Sequence, residues 1–250
     1  ARLTRLSTRS AFAGGRAAVR HLRTVLERWG LGAVTSYGRG LSALMYGAPG
    51  TGKTLSAHAI AGELNRPLLI VSTSTILSKW VGEAERRLES VFQEARSEGA
   101  VLLLDEADSL LRARGEGQAS RHDDSLVNAL LQHLEQHEDL VLLATNRLEA
   151  LDDALARRMT WRLRFPQPGS AERAAIWRRH LPPAAPLADD LDLAWLADRY
   201  SLSGGHIQRA AMRAALRAAV NAGVITQRML VEAAEEQLEV TGFAPPVARA

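Results

Sequence analysis

The chain has 250 residues, 46% of them apolar and 24% charged, which is the make-up of a globular protein with room for one large domain or two small ones. No apolar run approaches the roughly 20 residues that span a bilayer, and the absence of cysteine excludes disulfides and thiolate metal sites and suits a cytoplasmic protein. A net charge of +3 does not by itself indicate nucleic-acid binding, which calls for basic stripes. The chain starts Ala1-Arg2-Leu3 without Met, the start expected of a piece of a longer protein. Residues 1–17 carry Arg2, Arg5, Arg9 and Arg16 among small residues, as transit peptides do. They lack a strong apolar face, so a flexible arm or linker is expected there. Val19, Leu22, Val25, Leu26 and Trp29 recur at helical spacing. Short apolar runs then follow at Leu41–Tyr46, Leu68–Val71, Val101–Leu104, Leu140–Leu143 and Trp161–Phe165. Helical stretches alternate with them at Leu55–Leu64, Glu83–Glu98, Asp123–Glu135 and Asp152–Arg157. Near-continuous apolar strands alternating with helices predict a parallel sheet covered on both faces, an α/β fold.

After Phe165-Pro166-Gln167-Pro168-Gly169 the pattern changes to helices alone: Ser170–Leu181, Asp192–Tyr200, Gly205–Asn221 and Thr226–Leu238, with Thr226 as the expected N-cap of the last. The expected organisation is an arm at 1–17, a large α/β domain at 18–167, a small helical domain at 168–241 and a tail at 242–250.

Gly47-Ala48-Pro49-Gly50-Thr51-Gly52-Lys53-Thr54 reads G-x-x-x-x-G-K-T between a strand-like and a helix-like segment. That is the P-loop. Its glycines let backbone N–H groups turn toward a phosphate chain, Lys53 reaches the β- and γ-phosphates, and the Thr54 hydroxyl is placed for magnesium. The helix opening at Leu55 sets the phosphates at a helix N-terminus. The motif predicts binding of a nucleoside triphosphate such as ATP, with Mg2+.

Val101-Leu102-Leu103-Leu104 ends in two acids, Asp105 and Glu106, at the strand end where open α/β sheets bind ligands. With a P-loop upstream, Asp105 is expected to hold the magnesium ion and Glu106 to polarise the attacking water. Leu143-Ala144-Thr145 leads to Asn146, which either orients that water or contacts the γ-phosphate, or simply forms a turn after a strand. Leu151-Asp152-Asp153-Ala154-Leu155-Ala156 ends in Arg157 and Arg158, which also suit a helix C-terminus.

These four motifs, in this order and spacing, resemble the AAA family of ATPases, in particular its katanin- and spastin-like branch and bacterial single-ring members. The resemblance covers roughly residues 40–240. It implies a P-loop fold with a five-stranded parallel sheet between helices and a small α-helical lid, and usually a homo-oligomeric ring of six subunits. It also implies that Arg157, with Arg158, enters the neighbouring subunit's site as an arginine finger. Many members have R-P-G-R-F after that helix, and this chain has Arg157-Arg158-Met159-Thr160-Trp161, so which arginine takes that role stays open. Leu202-Ser203-Gly204-Gly205-His206-Ile207 resembles the family's S-G-A-D-I segment. There Gly205 and His206 either border adenine and ribose, or His206 only starts a helix. Arg209 stands where a second sensor would lie.

Lys79-Trp80-Val81-Gly82 resembles the family's first pore loop, in which an aromatic grips an extended polypeptide. Trp80, with Val81, suits that work because a large rigid ring contacts varied side chains at low entropy cost. Arg112 to Arg121 falls where a second pore loop would lie, or forms a solvated loop. His133 and His137, spaced i, i+4, read as an exposed polar face rather than a metal pair. The resemblance thus implies an ATPase acting on a polypeptide or protein complex, with a possible adaptor. The alternative is a loader or helicase-like ATPase acting on nucleic acid.

Overall fold

The computed structural model describes residues 41–77, 82–108, 121–147, 159–221 and 223–241. The expected helices Val19–Trp29 and Asp152–Arg157, the arm, the tail, and Arg112 and Arg114 lie outside the described residues. Five strands, β1 (Leu41–Tyr46), β2 (Leu68–Ser72), β3 (Val101–Asp105), β4 (Leu140–Thr145) and β5 (Trp161–Arg164), form one sheet in the order β2-β3-β4-β1-β5. Every neighbouring pair is parallel. Parallel neighbours need crossovers. Helix α1 (Lys53–Leu64) follows β1, the short α2 (Thr73–Ile76) and α3 (Glu83–Glu98) follow β2, and α4 (Arg121–Gln136) follows β3.

The central strands β1, β3 and β4 are mostly apolar because both their faces are covered, and their side chains alternate between two cores, whereas the edge strand β5 exposes Arg162 and Arg164. Leu102 and Leu104, with Leu44, Val141 and Leu143, share a core with Leu88 and Phe92 of α3 and Leu130 and Leu134 of α4. Val101 and Leu103, with Ala43, Met45, Leu140 and Leu142, share the other with Ala57, Ile60 and Ala61 of α1. Each fully buried leucine contributes about 1.5–3 kcal/mol relative to leaving it in water.

One expectation is overturned. His133 and His137 do not form an exposed polar face. His137 is 1% exposed, its ring edge-on to Phe92 at 5.3 Å, while the His133 ring stacks on Phe92 at 4.9 Å. The reason is helical register: Leu130, Leu134 and His137 are spaced four and three apart, so His137 continues the apolar stripe. Burial pushes both imidazoles below the ordinary histidine range.

The chain divides between Phe165 and Pro166, and the second unit also takes in the turn Ala48–Gly52. That unit holds α5 (Ser170–His180), α6 (Leu193–Arg199), α7 (Gly204–Asn221) and α8 (Gln227–Thr241). Its core gathers Trp177, Leu196, Tyr200, Ile207 and Leu230 around the alanines 210, 211, 214, 233 and 234. Asp192 caps α6 by accepting from the Trp195 N–H at 2.8 Å, and Thr226 Oγ1 accepts from the Met229 N–H at 3.4 Å at the start of α8. Arg173, 9% exposed, ties α5 to α6: its Nε donates to the Ala197 carbonyl and its Nη1 to that of Pro168, each at 2.7 Å. No helix among the described residues is long and apolar enough to cross a membrane.

Candidate functional site

The sheet order brings the carboxyl ends of β3, β4 and β1 side by side. The P-loop leaves β1 at Gly47, whose N–H donates to the Thr145 carbonyl at 3.3 Å. With φ at +151°, Gly47 is also where a Cβ would come within 2.1 Å of the Phe165 carbonyl oxygen, so only glycine fits. Lys53 opens α1 and is 7% exposed; its Nζ donates to the Gly47 carbonyl at 2.7 Å and to Asn146 Oδ1 at 2.8 Å. Burial pushes this ammonium below the ordinary lysine range, against the opposing pull of Asp105 and Asp108. The Thr54 hydroxyl donates to Asp105 Oδ2 at 2.9 Å. A hydroxyl beside a carboxylate is a hard oxygen donor set that suits magnesium, so these two residues fit the ion the family resemblance implies. Leu55, next in the helix, is 73% exposed.

Glu106 follows β3 with φ at +56°, a left-handed backbone that costs a non-glycine residue about 1–3 kcal/mol. Contacts to its backbone and its carboxylate hold it there. Its N–H donates to Asp105 Oδ1 at 2.9 Å, its carbonyl accepts from Thr73 Oγ1 at 2.6 Å, and its Oε2 accepts from Ser72 Oγ at 2.9 Å. Ser72 lies opposite Asp105 in the β2–β3 register, and Thr73 is fully buried. The left-handed turn carries the chain toward β4, where the Ala107 N–H donates to the Ala144 carbonyl at 2.8 Å. Asp108 thus arrives at the end of β4. Its Oδ1 accepts from Thr145 Oγ1 at 3.1 Å and from the Asn146 N–H at 3.2 Å.

In the second unit, the turn Ala48–Gly52 meets the start of α7. The Gly205 N–H donates to the Gly50 carbonyl at 3.0 Å, and Thr51 Oγ1 donates to the Ala48 carbonyl at 2.8 Å. Gly50 has φ at +74°, and a Cβ there would lie 2.4 Å from Ser203 Oγ. Ser203 Oγ and His206 Nδ1 are 2.7 Å apart, and burial, with Arg209, pushes the His206 imidazole below its ordinary range. Arg209 Nε donates to Gln237 Oε1 at 3.1 Å.

The structure therefore brings Lys53, Thr54, Asp105, Glu106 and Asn146 to neighbouring strand ends, and Gly50 and Gly205 into contact. Trp80, Val81, Arg157 and Arg158 lie outside the described residues. Sequence reasoning missed Ser72, Thr73 and Asp108. The signal for Asp108 was present as a third acid in Asp105-Glu106-Ala107-Asp108, whereas Ser72 and Thr73 become visible only through strand register. Among the described residues no group of three or more His, Asp or Glu side chains is arranged to hold a metal ion.

Residues 43–167 match the model of the AAA family, the ATPase family associated with various cellular activities, and residues 169–239 match that of the contractile injection system ATPase helical domain. The chain belongs to the AAA family of ATPases: an α/β P-loop ATPase domain followed by a helical domain. It is similar to ATP-dependent zinc metalloprotease FtsH 3 of Sphaerobacter thermophilus, 39% identical over 77% of this chain and 41% of that protein. It is also similar to Protein CdcH of Halobacterium salinarum, 40% identical over 62% of this chain and 22% of that protein. A third relative is Protein SUPPRESSOR OF K(+) TRANSPORT GROWTH DEFECT 1 of Arabidopsis thaliana, 40% identical over 55% of this chain and 33% of that protein. The chain thus spans less than half the length of each of these relatives.

Proposed function

We propose that this chain is the motor domain of a cytoplasmic, ATP-driven machine that remodels, threads or disassembles a protein substrate as a homo-oligomeric ring of six subunits. The observation that carries the reading is the convergence of Lys53, Thr54, Asp105, Glu106 and Asn146 on the ends of β1, β3 and β4 in a member of this ATPase family. In this reading the P-loop amides from Gly47 to Thr54, with Leu55 beyond them, receive the triphosphate, and Lys53 leaves Asn146 to meet the β- and γ-phosphates. Thr54 and Asp105 hold Mg2+, which when bound neutralises charge on the phosphate oxygens. Glu106 accepts a proton from the attacking water, and Asn146 orients that water or meets the γ-phosphate. Gly205 and His206 border adenine and ribose.

The remaining parts of the machine come from residues outside the described ones. Arg157 or Arg158 of a neighbouring subunit supplies positive charge to the transition state. Trp80 and Val81 grip the polypeptide, and an adaptor or a further segment selects it. The similarity of residues 169–239 to the contractile injection system ATPase helical domain supports a machine that serves such a system, with one of its protein components as substrate.

The test mixes subunits. Lys53→Ala protein added to wild type should lower ATPase activity by more than its fraction, because each site depends on its neighbour; strict proportionality would mean the subunits work alone. Trp80→Ala should keep ATPase activity within about threefold of wild type yet lose unfolding or disassembly of a protein substrate. Unchanged remodelling would remove Trp80 from the substrate path, and a steep, salt-sensitive stimulation by DNA would favour a nucleic-acid substrate.

A further inference from the structure

Asp108 has no role in the chemistry assigned above, yet its carboxylate is aimed at one of the groups that does. The backbone explains how it gets there. Glu106 turns left-handed, Ala107 is 1% exposed with its N–H on the Ala144 carbonyl at 2.8 Å, and the next side chain falls on the end of β4. There a single oxygen, Asp108 Oδ1, accepts from the Asn146 N–H at 3.2 Å and lies 3.1 Å from the Thr145 hydroxyl, a donor it shares with the Arg147 carbonyl at 3.1 Å. Thr145 is 1% exposed, and its hydroxyl also receives the Arg147 N–H at 3.1 Å, so one buried hydroxyl joins Asp108 to the turn just beyond Asn146. The Asn146 side chain meanwhile accepts from Lys53 Nζ at 2.8 Å. Asn146 is therefore held from two sides, its backbone by Asp108 and its side chain by Lys53.

We propose that Asp108 is a positioning residue: it fixes the turn that presents Asn146, so that Asn146 stays in place when Lys53 leaves it for the phosphates. The oxygen has two lone pairs, so one correctly placed acceptor can receive two donors at once. The acids at and just after the end of β3 thus divide the work: Asp105 and Glu106 serve the reacting groups, and Asp108 holds the end of the strand beside them. The inference rests on the reading of Asn146 as the group that meets the γ-phosphate or its attacking water.

A competing role for Asp108 is purely electrostatic, since its charge also favours the Lys53 ammonium. The two roles separate by substitution. Asp108→Asn keeps an acceptor oxygen in place and loses the charge, whereas Asp108→Glu keeps the charge and moves the oxygen. The experiment compares steady-state ATP hydrolysis, ADP affinity by calorimetry and thermal melting for Asp108→Ala, Asp108→Asn, Asp108→Glu, Asn146→Ala and the Asp108→Ala/Asn146→Ala pair in the full chain. Asp108→Ala should lower kcat about tenfold or more with ADP affinity within about threefold of wild type. Asp108→Asn should restore kcat to within about threefold of wild type, and Asp108→Glu should not. In the Asn146→Ala background, Asp108→Ala should slow hydrolysis by no more than about twofold, because the two act as a unit.

Rates that multiply in the pair, or recovery by Asp108→Glu rather than Asp108→Asn, would overturn the positioning role while leaving Asn146 in the mechanism. So would a wild-type rate for Asp108→Ala beside a slow Asn146→Ala. A wild-type rate for Asn146→Ala would remove the underlying reading of Asn146 and the proposal with it. Should Asp108→Ala fail to fold, the order of the Asn and Glu variants still decides.

Discussion

The ends of β3 and β4 lie side by side in the sheet, yet they hold their polar residues by different means. Glu106, after β3, sits on a strained left-handed backbone and is held from the β2 side, by Thr73 on its carbonyl and Ser72 on its carboxylate. Asn146, after β4, has no left-handed backbone and is held from the β3 and β1 sides, by Asp108 and Lys53. The supports therefore answer to different parts of the chain. Ser72 and Thr73 lead through α2 straight toward Trp80 in sequence, the residue proposed to touch the polypeptide. Lys53 belongs to the P-loop, the segment proposed to receive the nucleotide. In the proposed mechanism, the group that activates water is tied to the substrate side and the group that senses phosphate to the nucleotide side.

The largest break in this comparison should come at Thr73. Thr73→Val keeps the shape and removes the hydroxyl that holds the Glu106 carbonyl in a fully buried position. It should lower kcat about tenfold or more and stability by about 1–3 kcal/mol, measured by ATP turnover and denaturant unfolding. A wild-type rate with wild-type stability would mean that the Glu106 turn holds itself.

Ser72→Ala should act in the opposite direction and more weakly. It frees the Glu106 carboxylate from the resting contact at 2.9 Å while the Thr73 support remains. Basal ATPase should rise by up to about tenfold, the worth of a hydrogen bond to a charged group. A fall in rate would mean that Ser72 holds Glu106 in its working position.

The smallest effect lies away from both strand ends and separates their chemistry from the fold's own response to pH. Both ring nitrogens of His137 lack a hydrogen-bond partner among the described residues. Burial lowers its folded-state pKa, opposed by Asp139 and Glu138 and assisted by Arg96 and His133. The unfolded chain therefore binds this proton more readily than the fold. The stabilisation is complete above the ordinary value of 6.5 and is lost as pH falls below it toward the lowered folded value. The melting temperature should drop as pH is lowered from about one unit above the ordinary histidine value to about one unit or more below it. His137→Phe should flatten that slope, whereas an unchanged slope would place the titration elsewhere.

The gathering of Lys53, Thr54, Asp105 and Glu106 was legible in the sequence because these residues follow fixed local spacing. Lys53 and Thr54 follow the P-loop glycines, and Asp105 and Glu106 end an apolar strand. The sheet was legible for the same reason, since strands apolar on both faces have few other places to go. The supports were not. Ser72 meets Glu106 only because β2 and β3 pair with Ser72 opposite Asp105, and Thr73 opens a four-residue helix too short to show a period. Asp108 reaches Asn146 through one positive φ, which no side-chain pattern announces. His137 shows the converse failure: a polar residue on a stripe otherwise apolar is turned inward by register, and composition alone reads it as exposed.

The most direct measurement is the fate of bound ATP in the Glu106→Gln protein. The substitution keeps the size of the side chain and removes the proton acceptor, a change expected to slow hydrolysis about 10²–10⁴-fold. In single turnover the variant should bind ATP with affinity close to wild type and retain it unhydrolysed, in an assembly whose subunits can then be counted by mass. Hydrolysis at a rate near that of wild type would contradict the assignment of Glu106, and with it the division of labour between the two strand ends.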